Sequence, residues 1–308
     1  MSEARLLGPS DPGIGAAQGR QALALARLLP AVCVSAREVA SSVMHGIHGR
    51  RRAGSGENFW QFRPFSQGES TSRIDWRRSA RDDRTYIRER EWEAAQTLWL
   101  WMDRSPSMRF VSGLARQSKL ERCLVVGLAM ADLLVRGGER VGLVGRTRPI
   151  ASRAVVDRLA EALVGDPSEL AELPRPAPLP ARARGLLVGD WLSDPAEIAR
   201  TLQALSAEGA RGHVVAIADP IEESFPFAGH VEFADVDTSA RLRLGEARAL
   251  REAYLERLAA HREAIVAVCR RLGWSFTIHR TDRPATEAVM RLSVLVADAG
   301  SASATRVH

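Results

Sequence analysis

Thr97-Leu98-Trp99-Leu100-Trp101-Met102-Asp103-Arg104-Ser105-Pro106-Ser107 is the stretch on which the reading of this 308-residue chain turns. An apolar, aromatic-rich run broken abruptly by polar residues predicts a buried strand that ends in a loop. Asp103, Ser105 and Ser107 set one carboxylate and two hydroxyls at alternate positions of that loop. All three are hard oxygen donors. Magnesium or manganese takes such donors at about 2.0–2.1 Å, with water or a partner's carboxylate completing the shell. Asp, Ser and Pro also favour ordinary turns, so the loop alone leaves both readings open.

Outward from this loop, apolar residues at helical spacing predict a helix over Lys119–Arg136, with Gly137-Gly138 as its stop. A short strand follows at Arg140–Val144, then a helix around Val155–Val164. Gly185–Gly189 reads as a second strong strand ending at Asp190, with a helix over Pro195–Leu205; His213–Ala218 reads as a third, ending at Asp219. Strands alternating with helices predict an α/β fold, a mostly parallel sheet with helices on both faces. Ligands of such sheets sit beyond the carboxyl ends of the strands, where Asp103, Asp190 and Asp219 fall. Asp219 reads as a helix cap.

The flanks are plainer. Residues 1–12 are expected to be disordered, and Gln18–Leu29 and Ala36–His48 to form two helices. Phe59–Arg63 and Thr85–Glu91 read as short strands, and Leu173–Arg184 as an extended Pro- and Arg-rich linker. Val231–Ala234 and Arg241–Leu244 suit a hairpin. Glu246–Leu272 suits a long helix stopped by Gly273, Trp274–Arg280 a late strand, and Thr286–Val296 a closing helix. The expected division is therefore 1–12, 13–95, 96–298 and a disordered tail at 299–308.

Composition narrows the classes. The chain is 45% hydrophobic, enough for one large core with an additional subdomain. Cys33, Cys123 and Cys269 lie far apart in apolar contexts, which fits buried reduced thiols and a cytoplasmic protein. No apolar run approaches the roughly 20 residues of a membrane span, and the N-terminus lacks the order of a signal peptide. Net charge is +6, much of it from the Arg-rich stretch 50–90, and Lys119 is the sole lysine. It reads as a surface or supporting residue. His45 and His48 share a helix face without a third ligand nearby, and His261 reads as solvated. There is no phosphate-binding loop of the Gly-x-x-x-x-Gly-Lys-Ser/Thr type and no Gly-x-Ser-x-Gly elbow.

Asp-x-Ser-x-Ser after a first strand, with an Asp after a later one, resembles the metal-ion-dependent adhesion site of von Willebrand factor A domains. Upstream, Gly54-Ser55-Gly56-Glu57-Asn58-Phe59, Phe62-Arg63-Pro64-Phe65-Ser66-Gln67-Gly68-Glu69 and Arg73-Ile74-Asp75-Trp76-Arg77-Arg78-Ser79-Ala80-Arg81 are similar to bacterial domain-of-unknown-function family 58. The resemblance runs from about Gly49 to Leu292. It implies a von Willebrand factor A-like, Rossmann-like fold after an Arg-rich helical and β subdomain. It also implies a weakly bound Mg2+ or Mn2+ on Asp103, Ser105, Ser107 and Asp190. A-type domains add a Thr from a later loop; Ser152 or Thr147 stands nearest that place. Partner contacts are expected through Arg73, Asp75, Trp76 and Arg81, with a MoxR-type AAA+ ATPase and other von Willebrand factor A-like proteins as partners. Within that block Ile74 and Trp76 are expected to pack onto the A-type domain, and Asp75 to pair with Arg63 or Arg81.

The function so implied is a noncatalytic interaction module, an adaptor or co-chaperone whose bound ion joins it to a partner's carboxylate. Two other classes compete. A metal-dependent phosphohydrolase would need more carboxylates than Asp103-Arg104-Ser105 offers. Nucleic-acid binding through the Arg-rich block would use its aromatic residues, yet Glu57, Glu69, Asp75, Asp82 and Asp83 interrupt the positive charge.

Overall fold

A computed structural model describes residues 12–48, 59–66, 69–81, 84–90, 96–164, 171–181, 183–234 and 241–304. Helix α1 spans Pro12–His48 without a break, although Pro30 lies inside it. Two helices were expected there. Pro30 removes one helical N–H, but a stripe of buried side chains (Leu25, Leu29, Val32, Ala36, Ala40, Val43) at intervals of three and four runs straight past it. The continuous apolar face holds the helix together. Arg37 donates to Asp157 at 2.5 Å, and α1 as far as His45 belongs to the same compact unit as Gln96 onward rather than to the Arg-rich block.

Gly46–Ala95 forms the second unit. Strands β1 (Phe59–Pro64) and β2 (Tyr86–Arg90) pair antiparallel, and the four-residue helix α2 (Trp76–Ser79) lies between them in sequence. Arg78 stacks over Tyr86, its guanidinium carbon 5.0 Å from the ring centre. The Gly54–Asn58 segment of the block falls outside the described residues.

In the larger unit, strands β3 (Thr97–Met102), β4 (Arg140–Leu143), β5 (Arg184–Gly189) and β6 (Arg211–Ala218) belong to one parallel sheet. A small hairpin, β7 (Val231–Ala234) with β8 (Arg241–Leu244), precedes the last sheet strand, β9 (Ser275–Arg280). The spatial order is β4-β3-β5-β6-β9. This is the mostly parallel, Rossmann-like α/β sheet that the alternation of elements predicts.

Helices α3 (Lys119–Arg136), α4 (Val155–Val164), α5 (Pro195–Leu205), α6 (Pro220–Ser224), α7 (Arg251–Leu272) and α8 (Ala285–Ala304) fill the connections. Alternation along the strands assigns their faces. Leu100 and Met102 point at Gly127 of α3, which packs with α4 and α8. Trp101 and Leu187 point the other way, into a core with Ile198 and Leu202 of α5 and Ile265 and Cys269 of α7. On that second face the Trp274 indole lies across a pair of glycines. Gly185 and Gly212 are register partners on β5 and β6, and a Cβ on either would come within 3 Å of the ring. All three cysteines are buried and free. Helix α8 continues to Ala304, past the expected start of a disordered tail. No helix among the described residues is long and apolar enough to cross a membrane.

Candidate functional site

The chain leaves β3 towards β4 on one side, while β5 lies on the other, so the loops after β3 and β5 diverge and leave a crevice between adjacent strand ends. Asp103 follows β3 directly and Asp190 follows β5. The Asp103 N–H donates to Val188 carbonyl at 2.8 Å, which extends the ladder by one bond and fixes the carboxylate over the neighbouring strand. Gly189 makes room for it: a Cβ there would stand 3.0 Å from the Cβ of Asp103. Trp191 takes a left-handed backbone, φ 58°, uncommon for a bulky residue. Its buried indole donates to Val215 carbonyl at 3.0 Å, and the imidazole of His261 bonds its carbonyl oxygen at 2.7 Å. These anchors force the turn that presents Asp190. His261, read as solvated, is therefore a structural tether of α7.

Four oxygens converge. Ser105 and Ser107 hydroxyls lie 3.0 Å apart, and Ser107 donates to Asp190 Oδ2 at 2.8 Å. Asp103 Oδ1 accepts the Ser105 N–H at 2.8 Å, whereas its Oδ2 is buried with no hydrogen-bond partner. Burial first, and the charge of Asp190 second, push Asp103 up to about 7. Two buried carboxylates this close call for positive charge.

Part of it comes from Lys119, which is only 1% exposed. Its ammonium donates to Asp190 Oδ2 at 3.2 Å and to Glu222 Oε1 at 2.7 Å. Burial lowers its proton affinity, but the two carboxylates together outweigh that and hold it above the usual lysine value. Ser118 and Glu121 form a capping box at the head of α3, so Lys119 occupies the first helical position. A cation there opposes the helix dipole. The local rule is broken for the sake of the two acids: of the two readings of Lys119, surface or supporting, the second holds, whereas the role of Glu222 was not drawn from the sequence. The available signals were the sole lysine and the spacing Asp219-x-x-Glu222. Asp219 caps α6 as expected, its Oδ1 accepting from Ile221 N–H at 2.9 Å while its Oδ2 accepts from Ser112 N–H at 3.0 Å.

Ser152 does not join the cluster. After β4 the chain turns back, with Ile150 paired antiparallel to Val141, which carries Ser152 towards the opposite end of the strand. Its hydroxyl accepts from Ala154 N–H in an exposed turn. Thr147 closes its own turn by accepting from Leu143 N–H at 2.8 Å. In the Arg-rich block, Asp75 Oδ1 caps α2 by accepting from Arg78 N–H at 3.0 Å, while the side chain of Arg63, one of its two expected partners, lies outside those described. Trp76 is 67% exposed. Arg81 is exposed, and the side chain of Arg73 lies outside those described.

Among the described residues no three Asp, Glu, His or Cys side chains gather to hold a metal. The cluster offers two carboxylates and two hydroxyls instead. Its oxygen spacings of 3.0 and 2.8 Å are ordinary hydrogen-bond lengths, which also lie near the edge of an octahedron with metal–oxygen bonds of about 2.0–2.1 Å. With the partnerless Asp103 Oδ2, this donor set fits a small hard cation.

A parallel, helix-covered sheet with an oxygen-rich crevice at its switch point defines a Rossmann-like α/β protein with a strand-end polar site. The chain belongs to the family described as Protein of unknown function DUF58, which matches residues 61–264. It is 26% identical over 277 residues to uncharacterized proteins of Mycobacterium bovis and Mycobacterium tuberculosis, covering 84% of this chain and 86% of each relative. A crystal structure of the conserved hypothetical protein BatB from Bacteroides thetaiotaomicron aligns with 67% of this chain and all of that one, at TM-score 0.37 and 12% identity. That likeness is too low to bear on function.

Proposed function

We propose that this protein is a noncatalytic interaction module whose strand-end site, loaded with Mg2+ or Mn2+, binds an acidic side chain of a protein partner. The observation that carries the reading is the Ser105–Ser107–Asp190 oxygen series beside the partnerless Asp103 Oδ2. When bound, the ion supplies Lewis-acid attraction for one further carboxylate. The chain's own part is to hold the oxygens in place: Ser105 N–H and Val188 carbonyl fix Asp103, and the Trp191 anchors fix Asp190. Arg104 is turned away, donating to Leu163 carbonyl at 2.5 Å, so it does not add a second cation to the Lys119 ammonium in the crevice.

The surroundings favour a protein over a small phosphate ester. The loop after Ser105 carries exposed Arg109 and Arg116, no acid before Ser118, and exposed Phe110, Val111 and Leu114. Apolar anchors with arginines are a common composition for binding surfaces. On the resemblance drawn from the sequence, a MoxR-type AAA+ ATPase is the partner.

Binding of the purified ATPase to the full chain, measured by biolayer interferometry with Mg2+ and with excess chelator, tests this. Association is expected to weaken at least tenfold with chelator, and likewise for Asp103→Ala or Ser107→Ala. A complex that forms equally well in chelator would overturn the metal-assisted mechanism.

A further inference from the structure

Lys119 stands where a protein that simply holds a divalent ion would place no cation. Its ammonium shares Asp190 Oδ2 with Ser107. If that oxygen also binds an ion at about 2.1 Å, the two cations lie on the order of 5 Å apart, given the 3.2 Å from Nζ to oxygen. In an interior position such like charges repel strongly. Glu222 offers the ammonium a second seat at 2.7 Å. That seat is itself built in, since Glu222 Oε2 accepts from Asp219 N–H at 2.8 Å and the Glu222 carbonyl accepts from Tyr254 hydroxyl at 2.9 Å.

We infer that Lys119 is a tethered competitor of the divalent ion: it occupies Asp190 when the site holds no metal and withdraws onto Glu222 when metal enters, thereby setting the affinity. This rests on the metal-assisted reading of the site. Lys119 is thus a positioning residue for the ion, not a ligand to it. The balance between Asp190 and Glu222 determines how tightly metal is held, and perturbing the two ends of the lysine must shift affinity in opposite directions.

The full chain and its Lys119→Met and Glu222→Gln variants, each checked for folding by circular dichroism, are titrated with Mn2+ and followed by loss of the free-ion paramagnetic resonance signal. Lys119→Met is expected to bind Mn2+ at least tenfold more tightly than wild type. Glu222→Gln is expected to bind at least threefold more weakly, because the ammonium then leans wholly on Asp190. Equal affinities, weaker binding by Lys119→Met, or no Mn2+ binding by any of the three proteins would overturn the inference. If Lys119→Met does not fold, Glu222→Gln decides, and binding as tight as wild type overturns it. Partner capture is scored separately: tighter Mn2+ binding by Lys119→Met with no ATPase association would keep the competitor and discard the adhesion role.

Discussion

Replacing Asp103 with Asn should stabilise this protein, and should do so only at neutral and alkaline pH. The carboxylate is fully buried, and its Oδ2 has no hydrogen-bond partner. Its folded pKa is pushed from the ordinary 3.8 to about 7 by burial and then by Asp190. An unfolded chain releases this proton near pH 4 and the folded one near 7, so stability falls as pH rises between them and levels off above. At about 1.4 kcal/mol per pH unit, ionised Asp103 costs roughly 4 kcal/mol at pH 8. Asn keeps the shape and the bond from Ser105 N–H without the charge. At about 2 °C per kcal/mol for a chain of this size, the variant should melt up to roughly 8 °C above wild type at pH 8. The gap should close towards pH 4. Mg2+ at a hundredfold excess over its dissociation constant should return about 2.7 kcal/mol to wild type, and much less to the variant. Differential scanning calorimetry from pH 4 to 8 measures all of this. A variant that melts at or below wild type at pH 8, or a gap independent of pH, would refute the reasoning.

Three other outcomes are expected. Gly189→Ala should cost about 1–3 kcal/mol by overpacking, since its Cβ would stand 3.0 Å from Asp103 Cβ and 3.1 Å from the Trp101 ring; urea unfolding should show it, together with weaker Mn2+ binding. His213 and His279 are both held down to about 4, by burial and then by Arg184 and Arg122 respectively. Their contribution is complete above pH 6.5 and lost as pH falls towards 4, by roughly 3 kcal/mol each, so His213→Asn should lose less stability than wild type between pH 7 and 4.5 in chemical denaturation. Trp76→Ala should leave the melting temperature within about 2 °C, because an exposed ring contributes little to folding, while ATPase binding falls several-fold; an unchanged association rate and affinity would remove Trp76 from the interface.

Most of the larger unit was legible because hydrophobic period and punctuation agree there. The β3 run and the strands ending at Gly189 and Ala218 are continuous apolar segments, and the Lys119–Arg136 helix repeats its apolar residues at helical spacing, each closed by Gly or Asp, signals that need no tertiary information. The Asp103–Ser107 loop and Asp190 stood out for the same reason. What escaped depends on contacts between distant segments. Lys119 read as either a surface or a supporting residue, and only Asp190 and Glu222, 71 and 103 positions away, closing around it decide for the second. Ser152 stood at a plausible distance along the chain, but the Val141–Ile150 pairing reverses its direction. Two helices were expected on either side of residues 30–35, and the buried stripe that runs past Pro30 explains why α1 continues.

The Trp274 indole lying across Gly185 and Gly212 also restricts the order in which this sequence can drift. A Cβ on Gly185 would meet the ring at 2.4 Å, a side-chain obstacle that a small residue at position 274 removes, leaving only the flexible end of Leu179 at 3.3 Å. A Cβ on Gly212 would instead stand 2.1 Å from the Gly185 carbonyl oxygen, a backbone obstacle that no change at 274 removes. The two glycines look equivalent but have different futures. Descendants that lose the tryptophan are free to fill position 185 afterwards, never before, whereas position 212 stays glycine for as long as the two strands keep this register.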